Sequence, residues 1–191
     1  MRVIGFLTSL PHRISFAGIS SAFTGSLVIV AVCFCTSIAI KRMWLINVVG
    51  ENLYHEVRGE ALDDQYKAGL ITLARAADND KQWPKSIIGV VAQDRAFSWV
   101  LDYRLATRRD EKKRWDTAVE VATHLVDGTG ITLFMPKGWE CARYYKRTDN
   151  KGVSEKSRKW FEKALVPVGT FGSHTAYREK KGCVTPMRTS V

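Results

Sequence analysis

A run of 27 residues, from Ile14 to Ile40, contains no charged side chain. As an α-helix this run would be about 40 Å long, which exceeds the roughly 30 Å thickness of a bilayer's hydrocarbon core. A buried helix of a soluble protein is rarely uncharged over such a length. The run therefore predicts a membrane-spanning helix at residues 14–40, followed by a folded part of about 150 residues that is large enough for one domain with its own core.

The flanks of this run favour an uncleaved signal anchor. A cleaved signal peptide would have a shorter apolar region and a small-x-small cleavage site, and Ile-Ala-Ile-Lys at residues 38–41 offers none. Residues 1–13 would then be a cytoplasmic segment. Positive charge lies on both sides of the run, and a slight N-terminal excess, once the α-amino group is counted, favours a folded domain outside the cytoplasm.

The two halves of the run differ in hydropathy. Residues 14–26 are rich in Gly, Ser, Ala and Thr, whereas residues 27–40 are strongly apolar. A segment of this kind is similar to the signal-arrest-release segments of some phage lysis enzymes, which enter the membrane and later leave it. Release from the membrane is therefore an alternative to permanent anchoring.

The charge balance indicates a class of partner. The net charge is +10, and all 19 acidic residues lie at or after Glu51. A basic surface suits a polyanion such as nucleic acid, anionic lipid or the acidic polymers of a bacterial envelope. The chain has no helix-turn-helix signature, zinc finger or RNA-binding aromatic motif, so we expect no nucleic-acid partner.

The four cysteines do not predict a metal site. Cys33 and Cys35 lie inside the apolar run, and Cys141 and Cys183 lie far apart in the folded part. None forms a Cys-x-x-Cys pair, so we expect neither a metal nor another cofactor. Two unpaired thiols are the favoured interpretation of Cys141 and Cys183. A disulfide between them is the alternative if the domain faces an oxidising compartment.

Apolar periodicity predicts a mainly helical α+β domain over residues 43–179, with a tail at residues 180–191. Helices are expected at residues 43–56, 64–77, 86–93 and 115–126. Residues 127–130 are expected to form a loop. β-Branched and aromatic residues predict a small sheet or hairpin from pieces at residues 131–134, 144–145 and 166–177.

Two carboxylates four residues apart follow the first predicted helix of this domain, in Tyr-His-Glu-Val-Arg-Gly-Glu at residues 54–60. By spacing alone, Glu56 and Glu60 are typical of a solvated helix face. A glutamate at a helix end can also be buried against apolar walls and kept protonated near neutral pH, and cleavage of a glycosidic bond requires such an acid.

The same residues resemble a motif of the spore-cortex-lytic cell wall hydrolase family, Tyr-x-Glu-Ala-Arg-Gly-Glu. Four further pieces of the family's pattern follow in order and at similar spacing, so the resemblance covers about residues 46–178. They are the helix at residues 66–75, Trp-Pro-x-Ser-Ile-x-x-Val-Val-x-Gln at residues 83–93, Phe97-Ser98, and the aromatic pair Tyr144-Tyr145 followed by residues 171–177.

The chain departs from the family's pattern in three places. Ala74 stands where the family usually has Asn, and Ala96 stands where it usually has Gln. Residues 131–141 resemble an insertion relative to the family's pattern. The two missing amides affect the expected substrate contacts rather than the expected acid.

The resemblance implies a lysozyme-like fold behind the transmembrane helix, and cleavage of the glycan strand of peptidoglycan by a lytic transglycosylase with one essential glutamate. On the motif match, that residue is Glu56. Glu60 and Arg58 are the supporting residues of the motif. For Glu60, a salt bridge to Arg58 or Arg75 that orients the loop is the favoured role, and a second catalytic carboxylate is the alternative. A hydrolytic muramidase would need a second carboxylate, for which Glu60, Asp63 and Asp64 are candidates. The implied substrate-binding residues are Gln93, Phe97, Ser98, Tyr144 and Tyr145.

The expected biological role is phage-mediated host lysis, as an endolysin, or wall penetration from a virion. The expected partners are peptidoglycan, the inner membrane through residues 14–40, and other virion or lysis proteins. The catalytic domain would then lie in the periplasm. The alternative function is a catalytically weak wall-binding or virion structural protein that retains the lysozyme-like domain.

Overall fold

The structure is a computed structural model that describes residues 17–93, 96, 97, 99, 111–184 and 186, with side chains omitted for residues 17–29 and 131–133. The chain divides into two compact units, one up to Lys41 and one from Arg42 onwards. Helix α1 covers Ala17–Val57. Its residues up to Lys41 therefore belong to the first unit.

In the first unit, the described side chains of α1 are exposed. Val30, Phe34 and Ile40 are each 67% exposed. The hydroxyls in this stretch bond to the helix itself, because Thr36 Oγ1 donates to the carbonyl of Cys33 at 2.9 Å and Ser37 Oγ to the same carbonyl at 2.8 Å. Polar groups satisfied within the helix and apolar groups facing outwards are what a lipid environment requires.

By length and composition, the described part of α1 contains a candidate membrane span within Val30–Val57, with a mean hydropathy of 1.5. Its last turns, from Ile46, contribute to the core of the second unit. The exposed apolar stretch therefore lies before Ile46, and it includes Met43 and Trp44, which are 61% and 56% exposed. A membrane span at residues 14–40 stays a prediction.

The second unit contains, besides the end of α1, five helices and three strands among the described residues. The helices are α2 (Leu62–Ala77), α3 (Ile87–Val91), α4 (Lys112–Val126), α5 (Thr129–Phe134) and α6 (Glu155–Ala164). The strands are β1 (Tyr144–Arg147), β2 (Leu165–Phe171) and β3 (His174–Glu179).

The core forms where α1, α2 and α4 meet. Val49 and Leu53 of α1, Leu70 of α2 and Leu125 of α4 are at most 1% exposed. Gly69 permits this close packing, since a Cβ at Gly69 would lie 2.2 Å from Leu125 Cδ1. The end of α1 is thus buried on several sides, and this fixes the position of the residues that follow Leu53.

The three strands form one antiparallel sheet in the order β1-β3-β2. Tyr144 pairs with Tyr177, and Phe171 pairs with His174 across the β2–β3 turn. Gly172 in this turn has φ +47°, a left-handed conformation that favours glycine. The sheet presents Phe171 and Ala176 to the core, where they are 2% and 0% exposed.

This architecture confirms a mainly helical α+β fold with a small β region. Two predictions of secondary structure were wrong. Residues 131–134, predicted as a β piece, belong to α5, because the Phe134 ring stacks on Tyr66 with centroids 3.8 Å apart and tertiary packing overrides local preference. The same helix starts at Thr129, within the predicted loop. Helix α6 was not predicted at all.

The preference for unpaired thiols was also wrong, because Cys141 and Cys183 form a disulfide across 42 residues. Antiparallel pairing of β1 with β3 places the residues before β1 beside those after β3, and the amide of Arg143 donates to the Tyr177 carbonyl at 3.1 Å. The start of the predicted tail is therefore tied down. The Gly182 amide also donates to the Glu179 carbonyl at 3.0 Å.

Replacing one of these cysteines should destabilise the domain. We expect Cys183→Ser to lower the free energy of unfolding by about 3–4 kcal/mol, because a cross-link over a loop of this length restricts the unfolded chain. Thermal melting of the full chain in detergent micelles measures the effect. Cys33→Ser, which changes an exposed free thiol, should leave the melting temperature unchanged. An equal melting temperature for Cys183→Ser and wild type would contradict the expected contribution.

Candidate active site

Glu56 lies in the last turn of α1, which ends at Val57. Its neighbours Leu53 and Val57 are 0% and 2% exposed, and they anchor this turn in the core. The Tyr145 hydroxyl on β1 donates to Glu56 Oε2 at 3.4 Å. A helix end and a strand therefore position one carboxyl group from two sides.

Burial raises the pKa of Glu56 to about 7, although the positive charge of Arg75 and the hydrogen bond from Tyr145 act in the opposite direction. Desolvation disfavours the charged form of a carboxyl group, and here it outweighs both stabilising contacts. Near neutral pH, Glu56 is therefore present in both its protonated and its ionised forms, as a group that first donates and then accepts a proton requires.

Arg75 of α2 is a buried cation near Glu56. Its Nε donates to the Arg143 carbonyl at 2.6 Å. Its guanidinium lies over three aromatic rings, at 4.9 Å from the Trp83 centroid, 5.3 Å from that of Phe97 and 5.9 Å from that of Tyr145. Burial lowers the pKa of Arg75. Among the described residues, its buried Nη1 has no hydrogen-bond partner.

A buried ion pair supports Arg75 from the strand side. Arg143 Nε donates to Asp78 Oδ2 at 2.8 Å, and both side chains are 2% exposed. Asp78 is the C-cap residue of α2, and Arg143 directly precedes β1. The pair therefore fixes the end of α2 to the start of the strand that carries Tyr144 and Tyr145.

A cleft of about 700 Å³ opens beside these residues. Its walls come from α2, the segments around α3, strand β1 and helix α6. The lining residues are Arg75, Trp83, Gln93, Ala96, Tyr144, Tyr145, Ser154, Lys156, Ser157, Trp160 and Phe161. Glu56 is not itself a lining residue. Tyr145, which hydrogen-bonds to Glu56, and Arg75, whose charge acts on it, both line the cleft and connect the carboxyl group to it.

Glu60 has a different environment, at the turn between β2 and β3. The amide of Ser173 donates to Glu60 Oε1 at 3.0 Å, and the Ser173 hydroxyl donates to the same oxygen at 2.5 Å. His174 Nδ1 lies 3.7 Å from that oxygen. Partial burial acts to raise the pKa of Glu60, but the Ser173 hydrogen bonds and the nearby His174 lower it overall. Glu60 therefore fastens the hairpin as a carboxylate.

A model of the family described as Cell Wall Hydrolase matches residues 59–177. The chain belongs to the cell wall hydrolase family. The resemblance seen in the sequence is thus confirmed, and the function of the chain is, in general terms, that of a peptidoglycan hydrolase. The matched range includes Glu60 and begins three residues after Glu56.

This cell wall hydrolase is also similar in fold to the crystal structure of the catalytic domain of the Bacillus cereus SleB protein. The TM-score is 0.50 and the sequence identity is 23%, and the match covers 70% of this chain and 88% of the SleB chain. No curated protein matches the chain. In the described part of the hydrolase, no group of three His, Cys, Asp or Glu side chains is arranged to hold a metal ion.

The predicted ion pair of Glu60 with Arg58 or Arg75 was wrong. The Arg58 guanidinium lies 5.0 Å from the Tyr54 ring centroid, and its Nη1 donates to the Tyr54 carbonyl at 3.3 Å. Arg58 is thus held by contacts with Tyr54 one turn earlier in the helix, while Glu60 accepts its hydrogen bonds from the β2–β3 hairpin. The remaining candidates for a second carboxylate, Asp63 and Asp64, both pair with Lys67 at the start of α2.

The predicted substrate-binding residues have different locations in the hydrolase. Gln93, Tyr144 and Tyr145 line the cleft. Phe97 is 3% exposed in a core cluster below Arg75 and is not a lining residue. Ser98 lies outside the described residues. The Tyr144 hydroxyl donates to Glu179 Oε1 at 2.8 Å, which holds this tyrosine in the wall.

The sequence did not identify the side of the cleft formed by α6, nor the place of Arg75 beside the acid. Two local features of the sequence could have indicated α6. Ser154 accepts from the Ser157 amide at 3.1 Å as an N-cap, and Glu155 pairs with Lys159 four residues later. Both features are typical of a helix start. The position of Arg75 beside Glu56 follows only from the packing of α1 on α2.

The raised pKa predicts a pH-dependent cost to stability. An unfolded glutamate ionises near pH 4.5, whereas folded Glu56 ionises only near pH 7. Stability should therefore fall as pH rises through this interval and stay reduced above it. We expect Glu56→Gln to remove the cost, so that the variant gains about 1–3 kcal/mol over wild type at pH 8 and almost nothing at pH 4.

Chemical unfolding at the two pH values measures this gain. Glu60→Gln is the matched control, with the opposite sign. Its lowered pKa means that ionised Glu60 stabilises the fold above the unfolded pKa, so this variant should be less stable than wild type at pH 8. An equal effect of Glu56→Gln at both pH values would contradict a raised pKa.

Proposed function

We propose that this hydrolase cleaves the glycan strand of peptidoglycan as a lytic transglycosylase, with Glu56 as both general acid and general base. The main support is a carboxyl group with a pKa of about 7, held at a rigid helix end beside an open cleft. A general acid–base catalyst is most effective when its pKa lies near the working pH.

In the proposed reaction, protonated Glu56 donates its proton to the oxygen that links N-acetylmuramic acid to N-acetylglucosamine. The bond from C1 to that oxygen breaks, and the acetamido oxygen of the muramic residue stabilises the oxocarbenium-like centre. The Glu56 carboxylate then accepts the proton of the C6 hydroxyl, whose oxygen bonds to C1. The products are a 1,6-anhydro end and a free hydroxyl, and Glu56 is protonated again.

The environment of Glu56 suits both halves of this cycle. Burial favours the protonated acid before the bond breaks, and Arg75 and the Tyr145 hydroxyl favour the carboxylate afterwards. Arg75 forms its hydrogen bond with the Arg143 carbonyl, so its charge acts on Glu56 without occupying a carboxylate oxygen. Tyr145 touches the carboxyl group directly and orients it.

The state of the other carboxylates supports a transglycosylase over a hydrolytic muramidase. A muramidase uses a second carboxylate to activate water or to form a covalent intermediate. Glu60 accepts two hydrogen bonds from Ser173, and Asp63 and Asp64 pair with Lys67. Each candidate is thus already engaged, whereas ring closure by the sugar's own hydroxyl needs no second protein carboxylate.

The compartment proposed for this reaction is the periplasm, with residues 14–40 in the inner membrane. The exposed apolar face of α1 supports the membrane assignment, and the Cys141–Cys183 disulfide suits an oxidising compartment. The wall would be within reach of a domain tethered in this way. Host lysis by a phage endolysin, with or without release of the helix from the membrane, is the proposed context.

A wall-binding protein without strong activity is the second candidate. Ala96 supports it, because this residue lines the cleft at a position where the family usually has Gln. Ala74 does not, since it is 1% exposed in the core. Release of soluble fragments from peptidoglycan distinguishes the two functions.

Glu56→Gln should reduce the rate of muropeptide release from purified peptidoglycan about 10²–10⁴-fold, since general acid–base catalysis typically contributes this much. The assay uses the full chain in detergent micelles and follows soluble sugar fragments. Glu120→Gln, at an exposed position on α4, is the matched control and should retain wild-type activity. Wild-type release by Glu56→Gln would exclude Glu56 as the acid, and no release by the wild type would favour the wall-binding protein.

A further inference from the structure

Helix α6 has no buried residue, yet it carries a tryptophan. Trp160 is 45% exposed. Its ring packs edge-on against Tyr144, with centroids 5.4 Å apart, and against Phe161 at 5.3 Å. Two aromatic neighbours hold the indole in place while almost half of the residue remains accessible. A fixed, accessible aromatic side chain is typical of a binding surface.

Lys156 lies on the same side of α6 as Trp160. The two residues are four apart in the helix, which places their side chains next to each other. Both line the cleft that Arg75 and Tyr145 also line. The cleft therefore offers an indole and an ammonium group one helical turn apart, and Tyr145, which contacts Glu56, lines the same cleft.

The neighbouring lysine on α6 differs from Lys156. Lys159 pairs with Glu155 at 2.7 Å, and it is not a lining residue of the cleft. Within the part of the chain that the structure describes, no carboxylate forms an ion pair with Lys156. An ammonium group at the edge of a cleft, with no internal partner, suits an anionic group on a ligand.

We propose that α6 is a glycan-binding wall that recognises a stem-bearing muramic acid residue, with Trp160 stacking on a sugar face and Lys156 pairing with a carboxylate of the peptide stem. The inference rests on the proposed function, because it assumes a glycan strand in the cleft. A sugar ring has an apolar face that packs on an aromatic ring. In peptidoglycan, only the muramic residue carries a peptide, with its carboxylates, next to such a ring.

The two side chains therefore have separable roles. Trp160 contributes to the affinity for any glycan strand, while Lys156 distinguishes strands with stems from strands without them. Stem-stripped glycan should consequently be a poorer ligand for the wild type. Exposed ion pairs contribute little individually, so the preference for stems should be several-fold rather than absolute.

The test measures dissociation constants of two fluorescent glycan ligands by anisotropy. One ligand has uncrosslinked peptide stems. The other is stripped of its stems by an amidase, and the lactyl carboxylates that the amidase exposes are then converted to methyl amides, so that the stripped strand carries neither stems nor free carboxylates. All variants are made in full-length Glu56→Gln protein in detergent micelles. Lys156→Gln should weaken binding of stem-bearing strands about fivefold and leave binding of stripped strands unchanged. Lys159→Gln removes the same charge from the same helix and should alter neither constant.

Trp160 is tested in the same assay. Trp160→Ala should weaken binding of both ligands about tenfold, and Trp160→Phe should restore most of the affinity, because an aromatic face is retained. Thermal melting of each variant identifies any that fail to fold. The Lys156→Gln variant keeps the indole, so the difference in affinity between stem-bearing and stripped strands is measured independently of Trp160.

Equal effects of Lys156→Gln and Lys159→Gln, or equal effects of Lys156→Gln on both ligands, would overturn the role of Lys156. Unchanged binding by folded Trp160→Ala would overturn the role of Trp160. A failure of the proposed function gives a different result. If protein carrying Glu56→Gln still shortens the glycan strands, another group performs the cleavage, and this holds whatever the dissociation constants are.

Discussion

The structure depends on a partly buried carboxyl group, Glu56, and a buried guanidinium, Arg75, that lie near each other without forming an ion pair. Among the described residues, no ion pair joins Glu56 to Arg75. Arg75 instead donates to the Arg143 carbonyl and lies over three aromatic rings. If the two groups formed a direct ion pair, Glu56 would stay ionised and could not act as an acid. Because the charge of Arg75 acts only from nearby, desolvation raises the pKa of Glu56 to about 7.

Three long-range contacts hold the walls around this pair of groups. The buried Arg143–Asp78 ion pair joins the start of β1 to the end of α2. The Cys141–Cys183 disulfide joins the segment before β1 to the segment after β3. Glu60 binds the β2–β3 hairpin at Ser173. Each contact joins segments that are far apart in sequence. Together they fix Tyr144 and Tyr145, which need the whole sheet in position to form one side of the cleft.

The sequence predicted what depends on local patterns. Periodicity located the helices that contribute to the core, and a motif pointed to Glu56 at a helix end. Contacts between distant residues were not predictable in this way. Ser173 binds Glu60 across 113 residues, which no spacing rule indicates. Residues 131–134 have β-branched side chains but form a helix, since Phe134 stacks on Tyr66. Helix α6 has no buried face, so no apolar period marked it.

Helix α1 carries both the exposed apolar stretch and Glu56. In the proposed mechanism, the sugar's own C6 hydroxyl completes the reaction, with Glu56 as the base. Mass spectrometry of the muropeptides that the full-length protein releases from purified peptidoglycan tests this claim most directly. We expect 1,6-anhydro-muramic ends, whose mass is lower than that of a hydrolysis product by one water. Muropeptides with reducing ends would contradict the account.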